Sequence, residues 1–266
     1  MTVATSHAGG GGPLGPALFL HCGLASHRAW TGVLHELGPD LEFAAPDLPG
    51  HGAVAMDVAR DALEQSCACG LMAIDRYDAP VHVVGHSFGA VTALQMAVSA
   101  PWKVASLTLY EPVLFALLDD AGHPAMAEEI AQDNSFQAAW QEEGMHAAID
   151  MFLSRWGGPT GREGLTRDQR AKIAARFPTI RQSNINLYGA PSARPSLDQI
   201  ARLPQPMTLV AGENTQPVIH AILDVIAASR PVPPRRHLIA GAGHMGPMTH
   251  PAQMARIVHE VLSETA

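Results

Sequence analysis

The stretch VVGHSFGAV, residues 83–91, runs from an apolar strand-like segment through a tight Gly-His-Ser-Phe-Gly turn into a run of small, helix-forming residues. It places Ser87 in a G-x-S-x-G pattern, and the strand before it and helix after it matter more than the five letters. In so tight a turn Gly85 and Gly89 are needed where neighbouring side chains would collide, and the serine hydroxyl is lifted above the sheet edge. The N-terminus of the following helix favours negative charge, which suits the backbone N–H of Phe88 to an oxyanion. An ordinary strand–helix turn that happens to contain serine is the competing reading.

Working outward, short apolar runs alternate with longer amphipathic ones, the pattern of strands linked by helices. ALFL (Ala17–Leu20) reads as a strand, residues 28–37 as a helix, and residues 41–45 as a strand ending at the turn-rich PDLPGHG. A helix is expected over much of 57–75, then the strand VHVVG, a helix over 88–99 and a strand over 104–110. MTLVAG and RRHLIAG repeat the strand signal, each ahead of a helix (218–228, then 251–264). Val, Ile and Leu fill these strands with little alternation, which predicts an α/β fold with a mostly parallel central sheet covered by helices on both faces. Between residues 116 and 203 the strand signal disappears, and charged helical sequence such as FQAAWQEEGMHAAIDMFLSRW takes over. The expected organisation is a core of residues 1–115 and 204–266 with a helical insertion, 116–203.

Composition removes several function classes. The chain of 266 residues has a formal net charge of -8, so no basic surface is expected for nucleic acid. No apolar run approaches the roughly 20 residues that span a bilayer. The N-terminal MTVATSHAGGGG lacks a basic leader and an apolar core, so it does not read as a signal peptide. Three cysteines, Cys22, Cys67 and Cys69, are an odd count with two of them only two residues apart, which argues against a disulfide framework, and a reducing, cytoplasmic setting is expected. Gly10, Gly12 and Gly15 satisfy G-x-G-x-x-G by chance, with no strand ahead of them, and no P-loop lysine motif occurs.

The chain resembles the α/β-hydrolase family over nearly its whole length. LFLHCGLASHRAW is similar to that family's strand, His-Gly-x segment and helix, with Cys22 where glycine is usual. PDLPGHG is similar to its Asp-x-Pro-Gly-His-Gly loop, and GAGHMGPMTHP to its C-terminal histidine loop. The resemblance implies a backbone oxyanion donor at Gly23 beside Phe88, a catalytic base at His244, and a cap domain made by the insertion. Fewer than twenty residues precede the first clear strand, so the family's leading hairpin is expected to be shortened or absent. Of the fourteen histidines, His51 and His250 read as structural. His82 and His86 flank a strand end and do not present one metal face, and no zinc motif occurs. Cys22 is either a reactive thiol or a small packing residue, the latter expected.

A serine–histidine pair works best with a carboxylate behind the imidazole. Most relatives place an aspartate after the penultimate strand, but here LVAGENTQPV has Thr215 at that position, with Glu213 two residues early. LTLYEPVLF, residues 107–115, offers Glu111 instead, a carboxylate inside an apolar run where an unpartnered charge is costly. Pro112 biases Glu111 away from helical geometry and helps end the strand, leaving the carboxylate at the sheet edge where α/β proteins bind ligands. Some relatives, including certain haloalkane dehalogenases, take their acid from segments that resemble this one. Glu111 is the expected acid and Glu213 the alternative, with a purely structural ion pair for Glu111 as the competing reading.

The expected activity is serine hydrolysis of a small or medium carboxylic ester, without cofactor or metal, by a chain that could form a homo-oligomer. Carbon–carbon bond or lactone hydrolysis, and receptor-like binding with little turnover, remain the alternatives. Trp140, Phe152 and Trp156 in the insertion either line an apolar pocket or form the insertion's own core.

Overall fold

Successive strand residues face opposite sides of one sheet, and both sides are covered. Leu18 and Leu20 pack in one apolar layer with Val83, Leu107 and Leu109, whereas Ala17 and Phe19 join Val84, Tyr110 and Val210 in the other. This double burial explains the unbroken apolar runs in the sequence. A computed structural model describes residues 3–6, 14–158, 165–189 and 191–264.

The strands are β1 (Val3–Ser6), β2 (Ala17–Leu20), β3 (Phe43–Pro46), β4 (Val81–His86), β5 (Val104–Tyr110), β6 (Met207–Gly212) and β7 (Arg235–Ile239). They form a seven-stranded sheet in the order β1-β3-β2-β4-β5-β6-β7. Strands β2 to β7 pair in parallel, and β1 alone is antiparallel, from Val3 opposite Pro46 to Ser6 opposite Phe43. The chain passes from β3 back across β2 to β4, so the carboxyl ends of β2 and β4 flank the point where strand order reverses. That crevice is where open α/β sheets gather ligand-binding loops.

The helices are α1 (Thr31–Leu37), α2 (Ala62–Ile74), α3 (Phe88–Ser99), α4 (Ala116–Asp120), α5 (Ala125–Glu142), α6 (Met145–Trp156), α7 (Arg167–Arg176), α8 (Pro178–Leu187), α9 (Leu197–Ala201), α10 (Pro217–Ser229), α11 (Gly246–Thr249) and α12 (Pro251–Glu264). Buried residues of α2, α3 and α10 belong to one layer, and those of α1 and α12 to the other. Helices α6 and α8 share a further apolar cluster, Ala148, Ile149, Leu153, Phe177 and Ile180, against which Phe136, Trp140 and Phe152 pack. Burying side chains of this size contributes about 1.5–3 kcal/mol each. A buried ion pair ties α5 to α6: Arg155 Nη1 and Nη2 donate to the two oxygens of Glu129 at 3.0 and 2.5 Å, and Tyr188 Oη adds a bond of 2.6 Å.

The structure refines three sequence expectations. The sheet begins before ALFL, because β1 supplies a leading strand. Its four residues contain no apolar run, and antiparallel pairing with β3 gives them strand geometry that sequence periodicity does not reveal. The helix expected over much of 57–75 is present as Ala62–Ile74, its start set by Asp61, which caps it by accepting from the Glu64 N–H at 2.8 Å. The helix expected over 28–37 is present, its first turn being a 3-10 turn, His27–Trp30, that leads into α1, Thr31–Leu37. Gly10 and Gly12 of the chance glycine pattern lie outside the described residues.

Candidate active site

Strand β4 ends at His86 and helix α3 begins at Phe88, so a single residue, Ser87, makes the whole turn. Its φ of +57° is in the left-handed region, a strained backbone for a residue with a Cβ. The turn can be this tight because its flanking glycines touch backbone: a Cβ on Gly85 would lie 2.5 Å from the Gly89 carbonyl oxygen, and one on Gly89 would lie 2.3 Å from that of Leu20. The Ser87 N–H is held by the Tyr110 carbonyl of the neighbouring strand at 2.9 Å.

Three groups from distant parts of the chain then line up. His244, between β7 and α11, has Nε2 3.0 Å from Ser87 Oγ and Nδ1 2.7 Å from Glu111 Oε2. A carboxylate only accepts, so Nδ1 carries the proton, and the bare Nε2 of the neutral ring accepts from the serine hydroxyl. Glu111 follows β5 directly and is 0% exposed. Its burial is compensated by donors: the Gly212 N–H bonds Oε1 at 2.8 Å, and Thr215 Oγ1 bonds Oε2 at 2.6 Å. Glu111 does not simply extend the strand into Pro112; its φ is +46°, a second strained position in the same site. Glu213, the alternative acid, is exposed and turned the other way, accepting from the Gly241 N–H at 2.8 Å. The structure therefore brings Ser87, His244 and Glu111 together and leaves Glu213 apart.

Side chains from β4 and β5 fix the loop that carries the imidazole. His86 Nε2 donates to the His244 carbonyl at 2.8 Å, and Tyr110 Oη donates to the Gly243 carbonyl at 2.6 Å. Burial, then the neighbouring Glu111, raises the Tyr110 phenol further above its ordinary range, so it stays a donor. Burial and the His244 ring hold His86 neutral, well below the usual imidazole range. Thr215 and Tyr110 are the functional supports that motif reading misses. The signal for Thr215 was its occupation of the position where relatives carry an acid.

The loop after β2 forms the opposite wall. His51 Nε2 accepts from the Leu24 N–H at 2.9 Å, while the Gly23 and Phe88 N–H groups have no acceptor among the described residues. Buried His21 accepts from the Leu48 N–H at 3.0 Å and faces the Cys22 carbonyl at 2.7 Å. Burial lowers His21 to about 3, and burial also lowers His51, so both act as neutral braces. Cys22 is buried, and desolvation pushes its thiol up to about 12, which keeps it a thiol. His250 lies apart, bonded to Thr249 Oγ1 at 2.8 Å. Among the described residues no group of three His, Cys, Asp or Glu side chains could hold a metal, and no helix is long and apolar enough to cross a membrane.

Ser87 and His244 open onto a cavity of about 1370 Å³ whose far walls come from α5 to α8. Trp156 lines it, with its ring 4.8 Å from the His244 ring, and Phe152 lines it as well. Trp140 does not; it stacks on Phe177 at 4.9 Å inside the helical layer. The sequence grouped three aromatics that the structure divides between cavity wall and packing.

A hydroxyl, an imidazole and a carboxylate in hydrogen-bonded series can move a proton off the hydroxyl, and two vacant N–H groups beside it can receive an oxyanion. The alpha/beta hydrolase family model matches residues 17–257. The chain belongs to the alpha/beta hydrolase family. This hydrolase-family chain is 30% identical over 258 residues to a pimeloyl-[acyl-carrier protein] methyl ester esterase of Methylococcus capsulatus, covering 94% of this chain and 96% of that protein. It is 39% identical over 106 residues to the lipase LipV of Mycobacterium tuberculosis, a match that covers 39% of this chain and 40% of that one. A hydrolase from Pseudomonas aeruginosa PA01 shares the fold, with a TM-score of 0.71 at 21% identity over 98% of this chain and 93% of that one.

Proposed function

We propose that this family member is a serine hydrolase that cleaves a carboxylic ester through an acyl-enzyme intermediate. The observation that carries the reading is the series Ser87 Oγ, His244 Nε2, His244 Nδ1 and Glu111 Oε2, linked at 3.0 and 2.7 Å. In this reading Ser87 attacks the ester carbonyl carbon while His244 takes its proton. The carbonyl oxygen, now an oxyanion, accepts from the N–H groups of Gly23 and Phe88. Glu111 holds the imidazole in the tautomer that leaves Nε2 free and stabilises the imidazolium. His244 then protonates the departing alcohol, activates a water that attacks the acyl carbon, and returns the proton to Ser87 as the acid leaves.

Residues 116–203 act as a cap in the same reading, since α5 to α8 supply the cavity wall facing Ser87. The cavity has room for a small or medium ester without selecting for that size, and the esterase and lipase names of the two sequence relatives support ester over other acyl substrates. Incubation with a fluorophosphonate, followed by peptide mapping, is expected to place the adduct on Ser87. Wild-type protein should release alcohol from p-nitrophenyl esters, and Ser87→Ala should do neither. A folded wild-type protein that stays unlabelled and turns over no ester would overturn the reading.

A further inference from the structure

Two cations in the cavity wall, Arg176 and Lys172, lack a carboxylate partner among the described residues. Most arginines of the helical layer and its surroundings are neutralised: Arg155 by Glu129, Arg170 by Asp150, Arg194 by Asp120. Arg176, at the end of α7, is half-buried and lines the cavity, yet no carboxylate among the described residues lies at ion-pair distance from it. Its Nη1 donates to the Leu24 and Ala25 carbonyls at 3.2 and 3.4 Å, which sets the guanidinium beside the loop carrying the Gly23 N–H. Nε and Nη2 find no acceptor among the described residues. Lys172, one helical turn earlier on the same face, also lines the cavity without an ion-pair partner among the described residues. Together with Gln169 and Ile173 they line the cavity along one face of α7, with Ile173 and Arg176 half-buried and Gln169 and Lys172 exposed.

A half-buried cation without a counter-charge is unfavourable, and the planar guanidinium fork matches a carboxylate in two parallel hydrogen bonds. The acidic side chains of the cavity do not supply that counter-charge. Asp150 is engaged by Arg170, Asp133 accepts from Gln137 and Asn184, and Glu128 and Glu143 are exposed. We propose that Arg176, assisted by Lys172, binds an ionised carboxylate carried by the substrate itself, so that the preferred esters are half-esters of dicarboxylic acids. This rests on the serine-hydrolase reading and adds the substrate class to it.

The test compares monomethyl adipate, which is anionic, with dimethyl adipate, its neutral match, on wild type, Arg176→Met, Arg176→Lys and Lys172→Met. Loss of a charge-assisted contact is expected to change kcat/KM by about 10- to 100-fold. Wild type should therefore favour the monoester, and Arg176→Met should erase that preference mainly through KM. Arg176→Lys should restore part of it, and Lys172→Met, which leaves the Leu24 loop untouched, should weaken it by a smaller factor. A wild type that prefers the diester, or an Arg176→Met that slows both esters equally, would overturn the subsite and leave Arg176 as a brace for the loop. Should neither ester turn over and Ser87 stay unlabelled, the hydrolase reading itself fails. Adipate then decides the subsite alone: a thermal shift in wild type that Arg176→Met abolishes supports it, and equal or absent shifts sink it.

Discussion

Thr215 Oγ1 donates to Glu111 Oε2 at 2.6 Å, the same oxygen that faces His244 Nδ1 at 2.7 Å. The position after the penultimate strand, where relatives carry an aspartate, thus keeps its place against the imidazole's partner but changes its role. The charge stands at the end of β5, and Thr215 satisfies one of its lone pairs.

Removing the charge should be severe. Glu111→Gln keeps the shape but offers an amide to His244, and turnover of a p-nitrophenyl ester is expected to fall about 10⁴-fold. Glu213→Gln should stay within a few-fold of wild type, since Glu213 reaches only the Gly241 N–H. Thermal melts of both variants provide the folding control. A folded, near-normal Glu111→Gln beside a dead Glu213→Gln would transfer the acid role to Glu213.

Thr215→Val tests the support beneath the acid. The substitution keeps the β-branched shape and deletes one hydrogen bond to a buried carboxylate, a contact of about 1.5–3 kcal/mol. Turnover is expected to drop about 10-fold with little change in KM, because the lost bond touches no substrate. Unchanged kcat in Thr215→Val would mean that the Gly212 N–H and His244 suffice to hold Glu111.

Stability should weaken in mild acid. His21 is held neutral down to about 3, against 6.5 in the unfolded chain, and His51 and His86 are lowered in the same direction by burial. Between those limits the unfolded state binds more protons, so these contributions are whole above about pH 6.5 and decline as pH falls toward 3. For His21 the expected slope is about 1.4 kcal/mol per pH unit, and His51 and His86 add to it in the same direction. Thermal melts from pH 7.5 downward read it, and His21→Gln should flatten the acid side. A melting temperature independent of pH across that range would show that these rings take up protons freely in the folded protein.

The two tryptophans should separate by phenotype. Trp156→Ala opens the wall beside His244 and is expected to alter the ratio of large-ester to acetate-ester turnover several-fold. Trp140→Ala should leave that ratio alone and lower stability by about 3 kcal/mol, as expected for an aromatic lost from packing. Equal ratios in both variants would place Trp156 in packing as well.

The sheet and its nucleophile turn were legible because each signal was local. Helix 88–99 and strand 104–110 appear with the expected bounds, as both are long, strongly apolar and bracketed by glycine, proline or serine. Glu111 was legible because a carboxylate in an apolar run must find a partner. Strand β1 was not, since it depends on pairing with residues about forty positions away. Arg176 was not legible either: nothing in RDQRAKIAAR distinguishes it from the other cations of α7 until the helix is laid against the Leu24 loop. The left-handed backbone of Glu111 likewise runs against the bias set by Pro112, and tertiary contacts through Gly212 and Thr215 prevail.

The grip of His86 and Tyr110 on two successive carbonyls of the histidine loop spans 158 and 133 residues. The position of the imidazole is therefore written in the middle of the sheet and read only when the last strand has docked. A chain still lacking its last loop would own the elbow serine without the imidazole that bonds it at 3.0 Å. The imidazole thus takes its place beside the serine only in a chain whose middle strands and last loop have met.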